Sequence, residues 1–159
     1  MKTPTAKERL EDYLNKEGVR FQTHSHAPAY TAQEMAEVEK VPGLTVAKVV
    51  MVEADGQLAM TVIPAPYRLD TKKVKAAIGA DNVRLAHEDE FSPAFAGIEV
   101  GAMPPFGDFG NVLTYVDKSL VEDEYIVFQA ATHTDTIQMK YEDYAKVAQP
   151  IVADIAFRN

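Results

Sequence analysis

Two stretches of this chain hold residues placed to do chemistry. The first is Lys48, inside the apolar run Val46-Ala47-Lys48-Val49-Val50-Met51-Val52. Strand alternation puts Val46, Lys48, Val50 and Val52 on one face and Ala47, Val49 and Met51 on the other. Both faces are apolar, which predicts a strand covered on both sides. An ammonium there either snorkels to water at the strand's start or meets an anion, because burying it unpaired is costly. The second stretch runs from Gly97 to Gly110, with four glycines and the adjacent pair Pro104-Pro105 in 14 positions. Glycine lets a ligand or another backbone approach closely, and proline fixes φ and removes competing amide donors. Such a loop suits aiming a few backbone N–H groups at a carbonyl oxygen. A corner of a barrel or a plain surface loop would use the same residues.

Other chemistries find little support. The chain has no cysteine, which removes disulfides, thiolate metal sites and cysteine nucleophiles. The four histidines make no His-Glu-x-x-His pattern. His133 alone sits in a polar break between two strand candidates, where a side chain can point into a cleft. There is no Gly-x-Ser-x-Gly elbow, no Gly-x-Gly-x-x-Gly and no Walker-type lysine. Nothing calls for a metal or an organic cofactor. Arg68, Lys72, Lys73 and Lys75 fall within eight positions and form a basic cluster. It can receive a phosphate-rich partner, or it is an ordinary solvated helix face.

The elements that must position these groups can be read from local signals. Thr5 to Glu8 is a capping box that opens a helix carrying Leu10, Tyr13 and Leu14, with Gly18 as its stop. Val19 to Ser25 is a short strand. Thr31 to Glu34 is a second capping box, for a helix that ends before Val41-Pro42-Gly43. Residues 46–53 and 57–63 form a hairpin about Asp55-Gly56. Asp70 caps a helix over 71–78, which Gly79 ends. Residues 82–86, 111–116, 125–130 and 136–139 are strands, and 88–95 is a short helix. A helix over 141–148 is expected to continue after Pro150. Adjacent strands with interspersed helices predict an α+β or mixed-sheet α/β fold, not a regular βαβ repeat.

The chain has 159 residues, 47% of them apolar and 25% charged, a single domain's length with enough material for a core. No apolar run approaches the roughly 20 residues that span a bilayer, and the first residues are polar. A cytoplasmic location is the default expectation. Net charge is −8, but residues 1–80 carry +1 and residues 81–159 carry −9. The acidic total argues against a non-specific nucleic-acid coat protein while leaving room for a local basic patch.

In order and spacing these segments resemble the YbaK/ProX family of aminoacyl-tRNA deacylases, relatives of the editing domain of bacterial prolyl-tRNA synthetases. The resemblance runs from about His26 to Met139. It rests on His26-x-Pro28 with Thr31-x-x-Glu34, on Gly43 with Ala47-Lys48, on Gly101-x-x-x-Pro105, and on Ala130-Ala131-Thr132-His133 with Thr136-Ile137-x-Met139. Gly101-Ala102-Met103-Pro104-Pro105-Phe106 and Ala148-Gln149-Pro150 look closest to the YbaK/YeaK-like branch. The family often has glycine where this chain has Ala131.

The resemblance implies a mixed, largely antiparallel, barrel-like sheet with flanking helices in one editing-like domain over 1–159. It implies hydrolysis of the ester between a wrong amino acid and the terminal adenosine of tRNA, with no cofactor. Lys48 and Gly101 would be the catalytic positions. Thr31, Ala102, Met103, Pro104, Pro105, His133 and Thr136 would contact substrate, with backbone amides of 101–103 facing the ester. Arg68, Lys72, Lys73 and Lys75 would contact tRNA. The expected partners are a mischarged tRNA and an aminoacyl-tRNA synthetase, with no membrane. A non-catalytic module of the same fold, and a Schiff-base lysine at 48, are the competing readings.

Overall fold

The computed structural model describes residues 3–99 and 101–157; the side chain of Val38 is left out, and Val100 of the glycine-rich loop lies outside the described residues. Its frame is the hairpin of β2 (Ala47–Ala54) and β3 (Gln57–Pro64), paired in register from Ala47↔Pro64 to Ala54↔Gln57. Asp55 and Gly56 both have positive φ, 49° and 85°. That is the two-residue turn whose twist matches the strands it joins. The Asp55 carboxylate accepts from the amides of Asp81 and Asn82, which ties the turn to the next strand.

Around the hairpin stands a five-stranded sheet in the order β5-β2-β3-β6-β9. Here β5 is Val83–Leu85, β6 is Thr114–Asp117 and β9 is Ile151–Ala153. The β3–β6 and β6–β9 pairs are parallel. A second, antiparallel sheet has the order β1-β8-β7 from Phe21–Ser25, Asp135–Lys140 and Tyr125–Gln129. A bridge between Val46 and Val127 joins the edges of the two sheets. The strands do not close into a barrel. A short ribbon, β4 (Arg68–Leu69) with β10 (Ala156–Phe157), completes the strands.

The main core lies between the two sheets. Ala47, Met51, Met60 and Val62 face Ile126, Phe128, Ile137 and Met139. Helix α1 (Ala6–Lys16) contributes Leu10 and Leu14, and α6 (Tyr141–Ala148) contributes Tyr144 and Val147. Phe106 sits fully buried at the centre, edge-on to Phe128 and Tyr144. The other face of the hairpin packs on α3 (Thr71–Ile78): Val50, Val52 and Ile63 meet Val74. So β2 is covered on both faces, as its sequence predicts. Each large side chain fully buried in this way contributes about 1.5–3 kcal/mol.

Several boundaries follow from their caps. Thr5 and Glu8 make the full reciprocal box of α1. Asp70 accepts from Lys72 and Lys73 amides at 3.0 and 3.2 Å. Thr31 makes half of its expected box for α2 (Ala32–Glu39): its hydroxyl takes the Glu34 amide, but the Glu34 carboxylate bonds that hydroxyl instead of the Thr31 N–H. The helix α4 (Glu88–Phe91) tightens into a 3-10 turn over Ser92–Phe95.

The expected helix beyond Pro150 is a strand. Gln149 turns to φ 48° and ends α6, Pro150 offers no N–H, and residues 151–153 pair with β6. The strand expected from Asn111 starts at Thr114, because Asn111 is spent at φ 56° ending a 3-10 turn. A further short helix, α5 (Lys118–Val121), starts at the buried Asp117, which also holds the Ile155 amide at 3.0 Å. No helix among the described residues is long and apolar enough to cross a membrane.

Candidate active site

The bare edge of β2 creates the site. On that edge β5 pairs with Val52–Ala54, the Ala86 amide donates to the Met51 carbonyl, and β7 makes its backbone bridge at Val46, just ahead of β2. Between them, residues 47–50 have no strand neighbour on the outer side among the described residues. A cavity of about 220 Å³ fills the gap. Its floor is the buried set Met35, Ala47, Met51, Phe95 and Gln129, and its rim carries Lys48, Glu88, Ser92, Glu99 and Gly101.

Lys48 enters the cavity half-buried. Its Nζ donates to the Ala65 carbonyl at 2.9 Å, which leaves two of its three N–H donors for a ligand. Desolvation pulls its pKa below the ordinary 10.5. Removing water from an ammonium strengthens its attraction for an anion that reaches it.

Across the cavity stands the glycine-rich loop. Gly101 has φ 81°, and a Cβ there would lie 3.4 Å from the Tyr30 carbonyl and 3.5 Å from the His133 ring. The positive φ calls for glycine, while a Cβ would make only ordinary contacts there. Three bonds pin the loop to the β7–β8 turn and a fourth closes the loop on itself. The Glu99 amide donates to Ala131 O, and the Ala131 amide to Ala102 O. The Ala102 amide donates to Glu99 O, and the Glu99 carboxylate takes the His133 amide at 2.9 Å. Ala131 keeps a φ of 75° without being glycine, so this turn carries strain of about 1–2 kcal/mol.

Of the residues singled out from sequence, the fold brings Lys48, Gly101 and Met103 to the cavity lining. Ala102 is fully buried behind them. Pro104 faces a separate hollow beside Arg9 and Leu10, and the Pro105 carbonyl accepts from the Tyr144 hydroxyl at 2.8 Å. His133 stands just outside, its ring 4.8 Å from that of the exposed Tyr30 and its Nδ1 3.2 Å from Ala29 O. Thr31 is a helix cap, and Thr136 is buried with its hydroxyl on Glu39. Arg68, Lys72 and Lys75 are exposed, on the side of the hairpin opposite the main core. Lys73 is tied to Asp154 and to Ala156 O, both at 3.1 Å.

Sequence reasoning passed over Gln129 and Glu99. Gln129 is the polar break in Tyr125-Ile126-Val127-Phe128-Gln129-Ala130, the same signal that exposed Lys48. Glu99 lies between two glycines that both take positive φ. Met35 and Phe95 carry no polar signal in the sequence, and only packing reveals them as cavity floor. Among the described residues, no three His, Asp or Glu side chains group as a metal would require.

Comparison with known proteins agrees with this architecture. The curated proline–tRNA ligase of Staphylococcus saprophyticus is 31% identical over 101 residues, a match spanning 64% of this chain and 18% of the ligase. The proline–tRNA ligase of Leuconostoc citreum is 29% identical over 105 residues, again 18% of its length. This chain therefore spans less than a fifth of those relatives. A solved structure described as a candidate trans-editing enzyme for prolyl tRNA synthetase shares the fold, with a TM-score of 0.81 at 19% identity over 99% of this chain and all of that one. Residues 26–147 match the model of the aminoacyl-tRNA editing domain, well over half of the sequence, and the chain belongs to that family.

Proposed function

We propose that this chain hydrolyses the ester between a wrongly attached amino acid and the 3′ end of a tRNA, acting in trans in the cytoplasm. The observation that carries the reading is the cavity at the bare edge of β2, with the Lys48 ammonium on one side and the Gly101 loop on the other. An aminoacyl ester is already activated, so positioning and electrostatic stabilisation are enough, without a strong nucleophile. Lys48 holds the anionic end of the terminal nucleotide with its two free donors. The Ala102 amide is used within the loop. The amides of Gly101 and Met103 have no hydrogen-bond partner among the described residues, and these face the ester carbonyl. The attacking water is activated by the ribose hydroxyl of the substrate.

Arg68, Lys72 and Lys75 meet the phosphates of the acceptor stem. Lys73, neutralised by Asp154, adds less. The partners are a mischarged tRNA and, at the moment of release, a synthetase. The test is deacylation of a panel of mischarged tRNAs by the wild type and by Lys48→Ala. Turnover of at least one member, reduced at least 100-fold in the variant at unchanged Tm, is the expected result. No turnover of any member would make the protein a binding module of the same fold. Wild-type rates from Lys48→Ala would remove the lysine from the mechanism.

A further inference from the structure

The walls of the cavity carry information about which amino acid it takes. Its floor is apolar and bulky: Met35 and Met51 are at most 5% exposed, Phe95 is 3% exposed, and Ala47 lies between them. Met103 and Ile98 continue the apolar lining toward the rim. The volume, about 220 Å³, exceeds the roughly 150 Å³ in which an apolar protein cavity accommodates benzene. The ester and ammonium occupy the rim share of this volume, and the floor of Met35, Ala47, Met51 and Phe95 beyond it is what the amino-acid side chain meets. Methionine side chains adapt to irregular shapes and suit a flexible aliphatic ligand better than a rigid ring. The charged groups, Lys48, Glu88 and Glu99, are confined to the rim, where the ester, the ammonium and the nucleotide lie.

The one polar side chain in the floor is Gln129. It is buried, and its Nε2 donates to the Ala29 carbonyl at 2.9 Å. That bond fixes the amide against the wall. A hydroxyl on the bound side chain would have this one anchored amide to meet, among methionine and phenylalanine atoms.

From this we infer that the site is built for an aliphatic aminoacyl group of three to four side-chain heavy atoms, of the valine, leucine or methionine class, in preference to alanine, serine or threonine. The inference rests on the deacylase reading of the same cavity and adds its substrate class. In an apolar pocket each added methylene changes discrimination about 10-fold or more. Shape, more than hydrogen bonding, then sets the choice.

The experiment uses one tRNA acceptor charged in turn with alanine, serine, threonine, valine, leucine and methionine. The expected result is kcat/KM at least 10-fold higher for leucine or methionine than for alanine and serine, with valine at least equal to threonine. Ala32→Leu, at the mouth on α2, narrows the cavity and should lower the leucine and methionine rates at least 10-fold while sparing alanine. If its Tm falls by more than a few degrees, Val49→Leu at the opposite wall takes its place. Alanine or serine cleaved faster than leucine and methionine would overturn the inference and leave the deacylase reading standing. Threonine cleaved 10-fold faster than valine would also overturn it and assign Gln129 to reading a hydroxyl.

A second series, non-hydrolysable 3′-amide analogues of the same aminoacyl-adenosines, reads affinity alone. Tighter binding of the leucyl and methionyl analogues with no turnover of any ester would support the pocket's selectivity and sink the hydrolysis. Equal binding of all six analogues would sink the selectivity.

Discussion

The two walls of the cavity are built by different means. The β2 wall is a ladder of backbone bonds, eight residues in continuous register with β3 and packed on both faces. The opposite wall, residues 88–103, has one helical turn, a 3-10 turn and a glycine-rich loop, and side chains tie it down. Arg84 grips Glu90 and Glu53, Arg9 takes the Ala96 carbonyl at 2.8 Å, and Glu99 holds the His133 amide. The Lys48 ammonium sits on the rigid wall. The surfaces that shape the pocket sit mainly on the adaptable one. Residues that must hold a fixed geometry are best carried by regular elements, whereas a loop can change its lining without disturbing the core.

The largest effect is expected on the rigid wall. Lys48→Met should cost turnover at least 100-fold and yet leave Tm unchanged or higher. The reason lies in the sign of the pKa shift. The folded value is lowered by burial, so the unfolded chain holds that proton more tightly. The wild type should therefore gain stability as pH rises through the alkaline window below 10.5, the ordinary value. The methionine variant should show less of that rise in denaturant titrations at pH 8 and pH 10. A variant markedly less stable than wild type at neutral pH would mean that the bond to Ala65 outweighs the desolvation.

Next comes the adaptable wall at its one tight contact. A Cβ on Gly110 would run into the ring of Phe95. Gly110→Ala should destabilise by about 1–3 kcal/mol, as overpacked sites do. It should also displace Phe95 and change which amino acids are cleaved. Loss of stability without any change in preference would separate Phe95 from the specificity surface.

A smaller effect is expected where the two walls meet the β7–β8 turn. Ala131→Gly relieves the positive φ at 75°, and the flexibility that glycine adds to the unfolded chain takes back about 0.4–1 kcal/mol. The net expectation is a gain of up to about 1 kcal/mol with turnover retained. A drop in stability would show that the turn is relaxed with alanine.

The smallest effect concerns the exposed Arg84 network. The Arg84 guanidinium holds the Glu90 carboxyl down to about 2. Its contribution is present above the ordinary value of 4.5 and fades as pH falls toward 2. Amide protection in residues 88–95 should fall in acid and in 1 M salt, while that in residues 57–64 holds. Equal loosening of both would erase the contrast between the walls.

The sequence by itself determined the hairpin, the caps of α1 and α3, the strand that carries Lys48, and the need for a special loop at Gly101. Each of these rests on a local rule: a two-residue turn, a side chain bonding its own helix end, a charge amid apolar alternation, a glycine where φ is positive. It did not determine that Pro104 and Pro105 turn away from the cavity, that Lys73 is neutralised by Asp154, or that residues 151–153 form a strand. Those depend on partners 36 to 81 positions away. Gln129, Phe95 and Met35 became one floor only when β7, the 3-10 turn after α4, and α2 closed around the bare edge of β2. A cavity is a gap left between elements, and its shape is decided by how they pack, which no single segment encodes.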